Sequence, residues 1–348
     1  MPLSTIHSVF YFAKQPQPWI SNDGVEHSLD TGSLVDFSTC QTTYSFQPDG
    51  VNMYFGFLKE VISRWENGGT MLDMAGHPWS HSTHLEFALD ALNNGPDSEK
   101  TIVFALQPPG GIKPFDFVIA KRAAVEALAA ELQEYRKRAN PGKNLRIVVR
   151  FASEMNTKEN TTWGAGNSSV KAADFILAYK EVRAAFRSVS TEFLFSFSPA
   201  LRADLSPTEI NKYWPGIANV DFLSGTWYWG GTDTLEQART VLTAYFETYK
   251  QRVLNKPGCC FALDEWGGCN GTKHLPPPLK KKSNGEILLK EDHAIGWDFG
   301  LNHLDVLIKM RKHLDKLAAD DMPLEYATLF LEKKWNPWTS LSPLWASS

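Results

Sequence analysis

Short runs rich in β-branched and aromatic side chains alternate with longer amphipathic stretches along the whole chain, and this alternation is the signature of an α/β protein. The spacing predicts strands at 8–12, 34–39, 70–74, 146–151, 193–197, 221–226, 259–263 and 326–331. Several are near-continuous apolar runs, as strands covered on both faces should be. Helical periodicity falls between them at 54–67, 116–138, 170–188, 235–253 and 297–318, most clearly where Phe117, Ile119, Ala120, Val125, Leu128 and Leu132 share a face. Eight strands with interleaved helices in 348 residues predict a (β/α)₈ barrel with long loops at the C-terminal face of its strands. No internal repeat or low-complexity linker interrupts it, so residues 1–348 are expected to form a single catalytic domain. Two stretches fit less well. Residues 15–32 show no helix, and the strand-like run 101–106 is one more than eight requires.

Composition excludes several partners. A net charge of −4 gives no electrostatic reason to bind nucleic acid, and Lys280-Lys281-Lys282, after three prolines, reads as a solvated loop. No apolar run approaches the ~18 residues of a membrane span. No leader peptide opens the chain, so the expectation is a cytoplasmic protein, or a secreted one whose leader has been removed. Cys40, Cys259, Cys260 and Cys269 lack zinc-ribbon spacing, and a Cys260–Cys269 link stays open. The aromatic content is high: twelve Trp, ten Tyr and twenty-one Phe. Trp79, Trp163, Trp227, Trp229 and Trp266 fall in loop-like segments, where flat apolar faces either pack or bind, and sugar rings offer a matching face.

Active sites of such barrels form where strands end. Arg146-Ile-Val-Val-Arg150-Phe-Ala-Ser153-Glu154-Met155-Asn156 carries the fourth expected strand straight into a carboxylate. Phe261-Ala-Leu-Asp264-Glu265-Trp266-Gly267-Gly268 does the same on the seventh. Glycosidic cleavage needs such a pair across the bond, one carboxyl to protonate the leaving oxygen and one to attack or to activate water. The acid needs a raised pKa while its partner stays ionised, and Arg150 and Tyr228 are the candidate tuning neighbours. Thirty-nine acidic residues will put some glutamates after strands by chance, but two on the fourth and seventh strands are a rarer coincidence.

These segments resemble glycoside hydrolase family 26, retaining (β/α)₈ enzymes whose commonest substrate is β-mannan. Arg150 to Asn156, followed by Trp163-Gly164, is similar to the family's acid/base segment. Ser196-Phe197-Ser198-Pro199 is similar to its fifth strand end, and Tyr213-Trp214-Pro215-Gly216 with Val220-Asp221-Phe222 and Trp227-Tyr228 to its sixth-strand region. Ala262-Leu263-Asp264-Glu265-Trp266-Gly267 is similar to its nucleophile strand. The resemblance implies Glu154 as acid/base, Glu265 as nucleophile, a Tyr228 hydrogen bond to that nucleophile, and an endo-β-1,4-mannanase-like activity. Ser153 departs from the pattern, standing where the family usually has His beside the acid. A hydroxyl has neither the reach nor the charge of an imidazole, so the sugar preference is left open.

Substrate contacts are expected from Arg150, Ser153, Asn156, Trp163, Trp227, Tyr228 and Trp266. Others are expected from His77 and Trp79 in the loop after residue 74, and from Trp335 after the last strand. The His77, His81 and His84 cluster lacks nearby carboxylate or thiol ligands, and no metal or organic cofactor is expected. No G-x-S-x-G elbow, P-loop, dinucleotide fingerprint or H-E-x-x-H motif competes. The expected protein is a monomeric retaining β-glycanase acting on a β-linked poly- or oligosaccharide. The alternative is a catalytically inactive carbohydrate-binding barrel, since a fold does not guarantee its function.

Overall fold

The computed structural model describes residues 7–11, 19–20, 26–27, 50–57, 59–72, 100–111, 113–138, 145–158, 160–229, 235–268 and 303–329. In chain order, β1 (His7–Tyr11) precedes a short antiparallel pair, β2 (Trp19–Ile20) and β3 (Glu26–His27). Then come β4 (Gly50–Gly56), α1 (Lys59–Glu66), β5 (Lys100–Gln107), α2 (Pro114–Ala120), α3 (Arg122–Arg138) and β6 (Leu145–Phe151). Next are α4 (Ala172–Val189), β7 (Leu194–Phe197), β8 (Ala200–Leu201), α5 (Pro207–Asn211), β9 (Phe222–Leu223) and β10 (Thr226–Trp229). The chain continues through α6 (Leu235–Leu254), β11 (Cys260–Gly268), α7 (His303–Ala319) and β12 (Leu324–Leu329).

The main sheet has ten strands, all paired in parallel, in the order β12-β1-β4-β5-β6-β7-β9-β11-β10-β8. β8 continues β7 and β10 continues β9 after short interruptions, so ten strands make eight staves. β12 pairs with β1 on one side and β11 on the other, and the ring closes: this is a (β/α)₈ barrel. Strand alternation then sorts the side chains. On β6, Leu145, Ile147, Val149 and Phe151 face outward into the layer shared with the helices, whereas Arg146, Val148 and Arg150 face the lumen. Val103, Val148, Phe222, Ala262 and Tyr326 fill a lumen layer.

Much of the aromatic content packs this outer layer rather than a groove. Phe115, Phe151, Phe175, Tyr179 and Phe195 form a chain of edge and stacked contacts between barrel and helices. Among the described residues, no helix is long and apolar enough to cross a membrane.

The first half of the chain corrects the expected strand list. The second stave is Gly50–Gly56 and the third is Lys100–Gln107, which takes in the extra run at 101–106. Residues 70–72 are not a strand, because the Met71 and Leu72 N–H groups donate to the Glu131 carboxylate at 2.7 and 2.8 Å instead of to a neighbouring strand. The expected strand at 34–39 lies outside the described residues. Tyr54, expected to open a helix, sits in β4 beside Ala105, and the helix begins only at Lys59. The two misplacements cancel in the count, so β6 is still the fourth stave and β11 the seventh. The helix expected over 116–138 is broken at Lys121.

Candidate active site

β11 opens the site by breaking its own alternation. Cys260 and Ala262 face the lumen, so an unbroken strand would carry Asp264 inward and Glu265 outward. Against β12, however, Leu263 pairs with Ala327 and Trp266 with Leu329, so three steps on β11 match two on its neighbour. This bulge turns two successive carboxylates to the same side. Asp264 is fully buried and Glu265 is 5% exposed, and both meet Arg150. After the bulge the alternation resumes with Trp266 outward.

Arg150 projects from β6 into the centre of the mouth. Its Nη2 donates to Glu265 Oε2 at 2.8 Å and to Thr226 Oγ1 at 2.8 Å, and its Nε donates to Ser198 Oγ at 3.1 Å. The same Nε lies 3.7 Å from Asp264 Oδ2. Thr226 is the direct neighbour of Glu265 across the β10–β11 pairing, and its side chain also pulls the Glu154 pKa down. Arg150 and Thr226 therefore act on both candidate glutamates.

Glu154 reaches this point because the chain leaves β6 in an unusual backbone. Ala152 and Glu154 have φ of 48° and 57°, a region that costs a side-chain-bearing residue about 1–3 kcal/mol and persists only when its surroundings impose it. Those surroundings are specific. Ala152 N–H donates to Leu106 O and Glu154 N–H to Ser198 O, both at 2.9 Å. The Trp163 indole N–H donates to Ser153 O at 2.9 Å, and the Asn156 amide exchanges two bonds with the Ala200 backbone at 2.8 and 2.9 Å. The Glu154 carboxyl is pushed up to about 7, by burial first and the Glu265 charge second, while Arg150, Thr226 and Arg202 pull it down.

Of the residues expected at the site, the structure brings together Glu154, Glu265, Arg150 and Tyr228. The Tyr228 ring lies against Gly267, where a Cβ would stand 3.0 Å from its Cε1, two pairs beyond Thr226 and Glu265. Ser153 is buried beside Glu154. Three expectations need correcting as direct sugar contacts. Trp227 and Trp266 are wholly buried on the outward face, and the Trp227 indole N–H donates to Ala238 O of α6 at 2.8 Å. Asn156 spends both amide atoms on Ala200, so it braces the loop instead of facing a ligand. Trp163, half-buried, has its N–H engaged by Ser153, which leaves only its ring for contact. His77, Trp79 and Trp335 lie outside the described residues.

Sequence reasoning missed Asp264, Thr226, Ser198, Ser196, Tyr326 and Asn52. Alternation alone could have found Ser196 and Ser198, and Thr226 from the expected Tyr228, each pair two apart on a lumen face. Cys259 and Cys260 are free thiols, half-buried, with pKa values pushed up by burial. No group of three potential metal ligands occurs among the described residues.

No protein-family model matches this sequence, and no curated protein sequence matches it. Solved structures do. The catalytic domain of a glycoside hydrolase family 26 endo-β-1,4-mannanase from Bacillus sp. JAMB-750 superposes with a TM-score of 0.55 at 14% identity, over 95% of this chain and 79% of that one. A Bacillus subtilis mannanase gives 0.53 at 15% identity, over 100% and 87%. A family 26 β-mannanase from Bacteroides ovatus gives 0.51 at 14%, over 93% and 80%. The chain therefore has the (β/α)₈ fold of these family 26 mannanases.

Proposed function

We propose that this protein is a retaining glycoside hydrolase, a single catalytic barrel acting on a β-linked poly- or oligosaccharide by double displacement. The observation that carries this reading is the unequal treatment of two acids that share Arg150 and Thr226. Glu154 is pushed up to about 7, whereas Glu265 is ion-paired to a buried guanidinium at 2.8 Å. That difference suits one carboxyl that donates a proton at neutral pH and one that attacks as an anion.

In this mechanism Glu154 protonates the leaving glycosidic oxygen while Glu265 attacks the anomeric carbon and forms a glycosyl ester. Glu154, now ionised, takes a proton from water as the water attacks the same carbon, and both carboxyls return to their starting states. Arg150 holds the nucleophile, and the Thr226 hydroxyl orients the acid. Retaining chemistry calls for carboxyl oxygens about 5 Å apart, which their shared neighbours accommodate. The mannanase-like fold favours β-mannan as the first substrate to try, and Ser153 in place of the family's usual His favours including β-glucans and xylans.

Reducing-end release from β-mannan, mixed-linkage β-glucan and β-xylan tests the reading. Glu154→Gln is expected to lower turnover by about 10²–10⁴-fold with the fold intact, the range of a lost general acid. Glu265→Ala is expected to lower it further. Wild-type rates in both variants would rule the mechanism out. Glycan binding without turnover by the wild type would favour a carbohydrate-binding barrel instead.

A further inference from the structure

We infer that Asp264, the residue before the proposed nucleophile, is a positioning residue whose buried carboxylate anchors Arg150 and so fixes how the guanidinium holds Glu265 and Thr226. The inference rests on the function proposed above and adds a residue that touches neither of the two proposed catalytic carboxyls' reacting partners directly.

Asp264 is fully buried, yet each oxygen has a donor. Ser196 Oγ donates to Oδ2 at 2.8 Å and the Tyr326 hydroxyl donates to Oδ1 at 2.6 Å, with Arg150 Nε at 3.7 Å from Oδ2. Its backbone is held as well, the N–H donating to Ser224 Oγ at 2.8 Å and the carbonyl accepting from Asn52 Nδ2 at 3.0 Å. Hydroxyl hydrogens directed at both oxygens match a carboxylate, which can only accept. One lumen layer away the barrel is filled by Val103, Val148, Phe222 and Ala262, so packing alone does not call for an acid here. A buried anion is costly unless it is paired and hydrogen-bonded, and this one is both.

The arrangement divides Arg150 between two acids. Its Nε, whose one hydrogen goes to Ser198 Oγ, lies 3.7 Å from Asp264 as an ion-pair contact, and its Nη2 donates to Glu265 and Thr226. Because the guanidinium is rigid and planar, holding one edge sets the direction of the other. The bulge on β11 is what allows neighbouring residues to grip the same cation from two sides. The charged or titratable groups that face Asp264 are Arg150 from β6, Glu265 on its own strand and Tyr326 from β12. The buried phenols of Tyr179 and Tyr245, raised chiefly by burial, also feel its charge.

Asp264→Asn keeps the shape and removes the charge. On a substrate that the wild type cleaves, kcat is expected to fall about 10–100-fold with KM within about twofold, because the loss concerns orientation in the transition state. Independently of turnover, the Glu154 carboxyl followed by ¹³C NMR is expected to titrate lower, since Arg150, which pulls that carboxyl down, no longer shares its charge with Asp264. Unchanged kcat with an unmoved Glu154 midpoint, alongside any loss of thermal stability, would overturn the inference and leave Asp264 a lumen filler. Should that variant not fold, Ser196→Ala removes the Oδ2 donor only and is expected to lower kcat several-fold at constant KM; full activity there would overturn the inference too. If Glu154→Gln and Glu265→Ala abolish hydrolysis while Asp264→Asn changes neither readout, only this inference fails. If those two variants remain active, the proposed function fails, and the NMR titration still reports on Asp264.

Discussion

Arg146 and Arg150 stand one pair of turns of alternation apart on the same strand, both pointing into the barrel, and they keep different company. Arg146, at the start of the strand, pairs with Glu325 at 2.7 Å and donates twice to Thr101 Oγ1. Glu325 is 34% exposed, so that pair keeps access to water. Arg150, at the mouth, is fully buried and lies within 3.7 Å of two carboxylates, with Glu154 a third acid in the same field. A pair that keeps one acid in water is a brace. Around Arg150 the carboxyls are withdrawn from water, and burial first and the Glu265 charge second push Glu154 up to about 7 against the pull of Arg150, Thr226 and Arg202. The two arginines differ in how far their acids are withdrawn from solvent.

Replacing each arginine separates the two roles most sharply. Arg150→Met leaves two buried acids without their cation and is expected to destabilise the fold by about 3–5 kcal/mol while removing nearly all hydrolysis. Arg146→Met is expected to cost less, because Glu325 can turn to water, and to leave turnover within a few-fold of wild type. Chemical denaturation and initial rates on the same preparations measure both. Equal loss of activity in the two would erase the contrast.

The pH profile comes next in size. The free enzyme needs Glu154 protonated, so kcat/KM is expected to fall about tenfold per unit as pH rises beyond about 7, and this limb is expected to vanish in Glu154→Gln. The stability consequence follows from the same shift. A carboxyl raised from 4.5 to about 7 on folding favours the native state at low pH, and that contribution is lost as pH climbs through this window. Glu154→Gln should therefore gain stability relative to wild type between pH 4.5 and about 7, as thermal melts across the range would register. The smallest effect is expected at Gly267. A methyl there meets Tyr228 Cε1 at 3.0 Å, so Gly267→Ala should shift the ring by a few tenths of an ångström. Activity is expected to drop several-fold, with stability changed by less than about 1 kcal/mol.

From β6 onward the barrel was legible because its strands are apolar and bounded by clear turn or helix patterns, as at Leu145–Phe151 and Cys260–Gly268. The second and third staves were not. Val51 to Phe55 carries apolar residues at a spacing that also suits a helix start, and only pairing with β1 and β5 makes it a strand. At residues 70–72 local composition suggested a strand, and the Glu131 carboxylate, 59 residues downstream of Leu72, captured the backbone donors instead. Glu154 and Glu265 could be singled out as strand-end acids, but Asp264 could not. A period of two puts neighbours on opposite faces, and a bulge that suspends the rule is set by the register against β12, not by residues 264 and 265. Trp227 and Trp266 went wrong the other way: strict alternation from Tyr228 and Gly267 already turns both indoles outward.

Two adjacent acids on β11 make the nucleophile assignment open to one decisive experiment: trapping with activated 2-deoxy-2-fluoro-β-glycosides of mannose and glucose, followed by peptide mass spectrometry. A single sugar ester is expected on Glu265 in the peptide spanning Asp264–Gly267, absent from Glu265→Ala. An ester on Asp264, or steady turnover of the same reagents with no ester on either acid, would contradict it.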